Sequence, residues 1–425
     1  MRYIGNKTKL LGEIERLVGE RGVGPGATLL DIFAGTASVA RHFKGLGFRC
    51  LTNDRMRASY ALQVATVEVS RYPAFAGVLA RPEVRAARDA AAVRAAFERA
   101  RGEAPAEAAG PLCLALAHLE AGIAPAGPPG LIARCFSPAG PGGRMYFRQE
   151  HARRIDAVLD RLVAWRRDGT VARAEFYLLL SSLIAAADRV ANISGTYGAF
   201  LKTWQANTQA PLRLDPPPVV ESPLEHRAYR ADGNRLARAL DCDVLYVDPP
   251  YNHRDYAANY HVLEVIAERH TVHDEAAYEA RLYGVTGMRP YARSAYCSRR
   301  GDRCARAFRD LVTSARAEHV VVSYNEEGIL AAADIESALE AFAGRGGRVE
   351  QRRIAYRRFR SDADGRVARN GAAPRTYRVL DGRGRDGIHE WLFHARRVPG
   401  PARAARAGRL RGSERPASSS CPPRP

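Results

Sequence analysis

The segment Asp243-Val244-Leu245-Tyr246-Val247-Asp248-Pro249-Pro250-Tyr251 sets the architecture. Its first five residues read as a buried strand. The two prolines lack a backbone N–H and fix φ, so they cannot continue a central strand, and the chain must leave the sheet there. An acid and an aromatic are then held on a stiff turn at a strand's C-terminal end. That is where open α/β sheets bind ligands. A carboxylate can accept hydrogen bonds from an exocyclic amine, and an aromatic ring can stack on a flat base. The pattern points to chemistry on a nucleobase amine.

A second strand-and-turn unit lies upstream. Thr28 to Phe33 is a short apolar strand, and Ala34-Gly35-Thr36-Ala37-Ser38 is a turn of small residues. A helix-like stretch follows from Val39 to Leu46. The next strand, Phe48 to Thr52, ends in Asn53-Asp54. This is the opening of a nucleotide-binding βαβ unit. The small turn lets backbone approach a ligand, and an acid at the end of the second strand can grip ribose hydroxyls.

Outward from these two units the chain changes character. Lys9 to Val18 reads as an amphipathic helix. Residues 74–145 are rich in Ala, Arg, Gly and Pro, with helices expected around 83–101 and 111–121. Residues 148–191 read as helical. Ile155, Val158, Leu159 and Leu162 recur at i, i+3, i+4 and i+7 and mark one apolar face. Pro211 and Pro216-Pro217-Pro218 mark an extended return to the sheet. Later strands are expected at Val320–Ser323 and Val349–Arg358, and a final hairpin is expected to pair Thr376–Leu380 with Glu390–Ala395. From Val398 to Pro425 there is no periodicity, and disorder is expected.

Composition narrows the partners. A balance of 65 Lys+Arg against 46 Asp+Glu gives +19 over 425 residues. That favours a polyanion such as DNA, although an arginine-rich codon usage produces the same excess. The seven cysteines form no CxxC pair and no His-interleaved cluster, so no metal is expected. Their odd, scattered count suits a reducing cytoplasm. No apolar run is long enough for a membrane span.

Together the motifs resemble a known family. Asp31-Ile32-Phe33-Ala34-Gly35-Thr36 is similar to the S-adenosylmethionine motif of DNA amino-methyltransferases, and Asp248-Pro249-Pro250-Tyr251 to their catalytic motif. Arg2 to Leu11 resembles the N-terminal cofactor segment of the Dam-like D12 class of adenine-N6 enzymes. Val190 to Lys202 and the run from Tyr251 to His261 resemble that class's FokI-methylase-like branch. The resemblance implies an α/β fold: a Rossmann-like S-adenosylmethionine-dependent methyltransferase sheet with a largely helical inserted target-recognition region. The motif order is that of the α-type arrangement. It implies a cofactor-binding part at 1–71, a helical insertion at 72–225, a catalytic part at 226–397 and a basic tail at 398–425.

The resemblance also implies roles. Asp248 and the Pro249 carbonyl would accept hydrogen bonds from the target amine, with Pro250 fixing the turn and Tyr251 stacking on the base. Tyr3, Lys7, Asp31, Phe33, Ala34, Gly35, Asp54, Asp232 and Asp248 itself would meet S-adenosylmethionine. Asn192, Tyr197, Lys202, Arg254, Tyr256, Asn259 and Tyr260 would approach DNA, while His261 is expected to be structural. The family's usual pattern has a glycine where Ala37 stands, and a Cβ at a position needing φ > 0 is costly. The expected activity is site-specific transfer to adenine N6 in double-stranded DNA, with room for a cognate restriction endonuclease as second partner. Cytosine-N4 or RNA methylation, and a catalytically dead DNA-binding homologue, stay open; an acid at 248 instead of serine favours adenine.

Overall fold

The apolar runs at 28–33, 48–52, 244–247 and 320–323 are too short for helices and end in turn residues. Each one is a strand or the body of one. A computed structural model describes residues 2–3, 5, 7–86, 109–357 and 387–398. Its sheet contains β1 (Thr28–Asp31), β2 (Arg49–Asn53), β3 (Arg227–Tyr229), β4 (Asp241–Val247), β5 (Arg316–Asn325), β6 (Val349–Arg357) and β7 (Gly387–Arg396). They lie in the order β3-β2-β1-β4-β5-β7-β6. Parallel pairing joins β3 to β2, β2 to β1, β1 to β4 and β4 to β5, whereas β7 runs antiparallel to both β5 and β6. The chain winds outward from β1 to β3, then resumes on the other side at β4. The winding reverses between β1 and β4, so a crevice opens beyond their C-terminal ends.

Helices cover both faces. On one face α1 (Leu11–Gly19) and α2 (Ser38–Gly45) bury Ile14, Leu17, Val39 and Phe43 against Leu29, Val244 and Tyr246. After β2 comes α3 (Arg57–Gln63), and the middle of the chain supplies α4 (Gln149–Arg167) and α5 (Arg173–Val190). Next come α6 (Gly233–Ala239), α7 (His261–Glu268), α8 (Arg303–Ser314) and α9 (Ala332–Ala343). Residues of α6, α8 and α9 pack on Leu245, Val247, Val320 and Val322 at the second face. A separate helical core gathers α3, α4, α5 and α7, with Ile155, Val158, Leu159 and Leu162 all buried in it. That core draws residues 56–69 and 260–267 into contact with the middle of the chain. Among the described residues no helix is long and apolar enough to cross a membrane.

One expectation is corrected. Glu390–Ala395 does not form a hairpin with Thr376–Leu380. Its β5 edge pairs with Val320–Asn325 and its β6 edge with Val349–Ile354, so no hydrogen-bonding edge remains for a third partner. Thr376–Leu380 itself lies outside the described residues, as do most of the helix expected at 83–101 and the tail beyond Val398.

Ala37 precedes the first turn of α2 in the left-handed conformation, at φ 60° and ψ 29°, and is fully buried. Two opposed effects meet there. A Cβ in this conformation costs roughly 1–2 kcal/mol. Removing a buried methyl forfeits about 0.8 kcal/mol, and glycine adds unfolded-chain entropy. We therefore expect Ala37→Gly to move stability by less than about 1 kcal/mol in denaturant unfolding, because these effects cancel. Ala37→Val, a β-branched residue in a left-handed and packed position, is expected to lose on the order of 3 kcal/mol.

Candidate active site

The crevice between β1 and β4 is built by the segments that leave the sheet. After β1 the chain still follows its neighbour for one residue, with Ile32 N donating to Tyr246 O at 3.2 Å. It then turns through Gly35, which has φ 50°. A Cβ on Gly35 would stand 2.8 Å from Cε1 of Tyr3, so glycine here serves both the turn and the close approach of the Tyr3 ring. Asp54, just past β2, ties this turn down. Its Oδ2 accepts from Gly35 N at 3.0 Å and its Oδ1 from Met56 N at 2.9 Å. Asn53 locks the neighbouring strands, donating to Ile32 O at 3.1 Å and accepting from Ala231 N at 2.9 Å.

Asp248 follows β4 directly. The Lys7 ammonium lies 3.2 Å from its Oδ1 and also pairs with Glu390 of β7. Burial pushes the Asp248 carboxyl up to about 7, with Lys7 pulling it down and Glu390 pushing it up. Burial works against the charge on Lys7, but Asp248 and then Glu390 outweigh it and hold its pKa above the usual lysine value. Asp31, on the other side of the crevice, is buried. Burial, then the Asp248 charge, raise its pKa well above its ordinary value. Burial also pushes Asp54 up to about 6, against the two backbone N–H groups it accepts from.

These groups enclose a cavity of about 310 Å³. Of the residues expected at a cofactor, Tyr3, Lys7, Asp31, Phe33, Ala34, Gly35, Asp54 and Asp248 line it, together with Pro250 and Tyr256. Tyr3 stacks on Tyr260 at 4.7 Å between ring centroids and tilts against Tyr256 at 5.5 Å, which closes one wall. Tyr251 sits behind, edge-on to Tyr324 at 6.3 Å, with Lys7 Nζ 5.6 Å from its ring centroid. Asp232 is not among the lining residues. Its carboxylate accepts from Arg235 N at 3.2 Å and caps α6, while its neighbour Gly233 faces the cavity beside Phe33.

The residues expected at DNA divide. Lys202 and Arg254 are exposed, and Tyr256 lines the cavity. Asn192 and Tyr197 are each 0% exposed, and Asn259 and Tyr260 are buried as well, so in this structure these four side chains meet protein groups. Asn192 bonds Leu201 O at 2.8 Å and Gln205 N at 3.1 Å. The Tyr197 carbonyl accepts from Tyr146 OH at 2.6 Å, with His261 Nε2 at 3.0 Å, and its N–H donates to Asn259 O at 2.7 Å. Polar groups pulled out of water need such partners, and these knit α5, α7 and the stretch after Asp248 into one support. Burial drives the His261 pKa down to about 4, so the ring is neutral there.

Three acids of the site escaped the sequence reading. Glu264 of α7 is 1% exposed, accepts from Arg57 N and Ala58 N at 3.1 and 2.7 Å, and pairs with Arg289 at 2.8 Å. Asp255 accepts from Ser294 N at 2.6 Å and joins the cavity wall to the segment after Pro290. Glu390 is the third. For Glu264 and Glu390 the signal available in the sequence was an acid within or at the head of an apolar run, Val262-Leu263-Glu264-Val265 and Glu390-Trp391-Leu392-Phe393. Among the described residues no cluster of His, Cys, Asp or Glu is placed to hold a metal ion.

Comparison with known proteins agrees with this geometry. The chain is 32% identical over 343 residues to the type II methyltransferase M.FokI of Planomicrobium okeanokoites, covering 80% of this chain and 47% of that protein. It is 30% identical to the modification methylase StsI of Streptococcus sanguinis, over 85% of this chain and 49% of that one. Thus it spans about half the length of these two relatives. It is also 30% identical to the type II methyltransferase M.NlaIII of Neisseria lactamica, over 85% of this chain and 93% of that protein. Residues 3–324 match the family described as D12 class N6 adenine-specific DNA methyltransferase, and the chain belongs to that class.

Proposed function

We propose that this chain transfers a methyl group from S-adenosylmethionine to adenine N6 at a specific site in double-stranded DNA. The observation that carries this reading is the placement of both Asp248 and Asp31 in the lining of one cavity at the sheet's switch point. S-adenosylmethionine, the cofactor of the class, supplies an electrophilic methyl on a sulfonium. The residues present suit such a cation. Asp31 Oδ1 is buried without a hydrogen-bond partner among the described residues, and an ammonium would satisfy it. Asp54 would meet the ribose hydroxyls, and Tyr3 and Phe33 the flat adenosine and its surroundings.

The chain's own contribution is positioning and electrostatics. Adenine N6 is a poor nucleophile because its lone pair is delocalised into the ring. Asp248 and the Pro249 carbonyl accept hydrogen bonds from the two amine hydrogens, which favours tetrahedral nitrogen and frees the lone pair. The base must leave the duplex to reach this pocket, and Tyr251, which stands behind the lining residues in the free protein, is the ring we assign to stack on it. Residues 72–225 are the region we assign to target recognition, with Lys202 and Arg254 as exposed basic groups for phosphates. A restriction endonuclease acting on the same site is the partner this role implies.

Incubation with S-adenosylmethionine and unmethylated genomic DNA, followed by single-molecule mapping of modified bases, tests the reading. N6-methyladenine in one short motif supports it. N4-methylcytosine would overturn the choice of base, and no modification at all would sink the activity. The pH profile is a second check. Asp248 must be ionised to accept from the amine, and burial pushes its carboxyl up to about 7 in the free protein. We therefore expect kcat/KM, which reports the free enzyme's groups, to rise with pH through roughly neutrality and then level off. A profile flat between about pH 5 and 9 would remove the ionised Asp248 from the mechanism.

A further inference from the structure

Glu390 lies beyond the residues that match the family and has no part in the reading above. It stands on β7 with its side chain buried, 3% exposed. Two residues of β5 fix it: Ser323 Oγ donates to Oε1 at 2.9 Å and Asn325 Nδ2 to Oε2 at 3.4 Å. The strand register explains this, since Asn325 sits opposite Glu390 and Ser323 opposite Leu392. Lys7 Nζ then donates to Glu390 Oε1, and the same ammonium lies 3.2 Å from Asp248 Oδ1. A continuous path runs from β5 through Glu390 and Lys7 to Asp248.

A lysine side chain has four rotatable bonds, and Lys7 comes from a segment ahead of the sheet. Tethered to Asp248 alone, its ammonium would sample several positions. Glu390 is itself immobilised by a strand and removes that freedom. We propose that Glu390 is a positioning residue that clamps the Lys7 ammonium beside Asp248, so that the Asp248 carboxylate faces the target amine in one direction. The proposal rests on the function given above for Asp248. The groups around that carboxylate are Lys7, Glu390 of β7, Asp31 of β1, Tyr246 of β4 and Tyr256 after the turn. Lys7 is the cation among these five, so where it is held governs the geometry of the whole set.

The clamp acts through the place of one oxygen, and three variants separate place from charge. Glu390→Gln keeps an acceptor for Lys7 and Ser323 but loses the charge. Glu390→Asp keeps the charge and withdraws the carboxylate by one carbon. Glu390→Ala removes both. We expect Glu390→Ala and Glu390→Asp to slow single-turnover methyl transfer on the order of 30-fold, with dissociation constants for S-adenosylmethionine and DNA unchanged within about threefold. Glu390→Gln should retain the rate to within about threefold of the parent. Should the alanine variant fail to fold, the aspartate variant carries the comparison.

A readout independent of turnover is acylation of Lys7, followed by mass spectrometry. The chain has only four lysines, at 7, 9, 44 and 202; Lys7 and Lys9 share a peptide once acylated, so fragment ions place the label between them. Lys7 should be protected in the parent and in Glu390→Gln, and labelled in Glu390→Asp and Glu390→Ala, while exposed Lys9 and Lys202 label in all four proteins. Unchanged rates in the aspartate and alanine variants would overturn the proposal. So would a lost rate with Lys7 still protected, which would make Glu390 merely structural. Labelling in the expected pattern with no adenine methylation by the parent protein would overturn the proposed function and leave the clamp standing.

Discussion

Asp248→Ala is expected to slow methyl transfer by a factor on the order of 1,000 while leaving duplex DNA binding within about threefold of the parent. In the proposed mechanism the carboxylate is the charged acceptor for the amine, and interactions of this kind in a closed site carry roughly 3–4 kcal/mol of the barrier. The variant should fold. Removing one partner of a buried ion pair is normally severe because it leaves an uncompensated charge. Here Lys7 keeps Glu390 as its other acid, so its ammonium is not orphaned. In the proposed reading DNA is held by exposed cationic groups such as Lys202 and Arg254, which the substitution does not touch. Single-turnover transfer and a filter or anisotropy binding assay separate the two quantities. A normal rate would mean that Asp248 does not meet the amine.

Asp54→Ala is the second large effect. We expect about 100-fold weaker binding of S-adenosylmethionine by calorimetric titration, together with a lower melting temperature. The carboxylate has two tasks in the structure. It holds the backbone N–H groups of Gly35 and Met56, and it presents its charge to the cavity. An unsatisfied buried donor costs about 1–3 kcal/mol, so loss of the first task alone loosens the turn after β1. Unchanged affinity with a lower melting temperature would assign Asp54 to the turn only and remove it from the ligand.

The parts of the fold that were legible in the sequence are those whose signals are local. Pro249-Pro250 ends β4 by itself, and the spacing of Ile155, Val158, Leu159 and Leu162 defines the buried face of α4 without reference to any partner. Strand pairing is different. Nothing within Glu390–Ala395 announces that both of its edges are taken, because the partners on β5 and β6 are set by sheet order. A hairpin to the nearest strand-like segment was the natural local inference, and topology overrode it.

The site divides along the same line. Asp31, Gly35, Asp54 and Asp248 sit at element ends, where a motif fixes their direction, and they line one cavity. Asn192 and Tyr197 lie in a polar, aromatic stretch that reads like a surface for a ligand. Their burial depends on Tyr146, Asp188 and His261, with Tyr146 51 positions away from Tyr197. A polar residue with distant partners cannot be told from one awaiting a partner when only the chain is in view. Glu264 and Glu390 were hidden for the converse reason, since their apolar neighbours mark them as core and their ionic partners come from other elements.

The insertion of β7 between β5 and β6 has a consequence for how the protein is made. An interior strand that comes last in the sheet leaves two open strand edges on the nascent chain until synthesis has passed Arg396. Until then β5 and β6 expose unpaired backbone, and pairing that must wait for a distant segment is slow and prone to association with other chains. Lys7, made long before β7, also stays without Glu390 until that moment. A chaperone that shields strand edges would therefore be needed until β7 emerges, and a ribosome stalled before β7 would hold a chain with both motifs made and the Lys7–Glu390 pair missing.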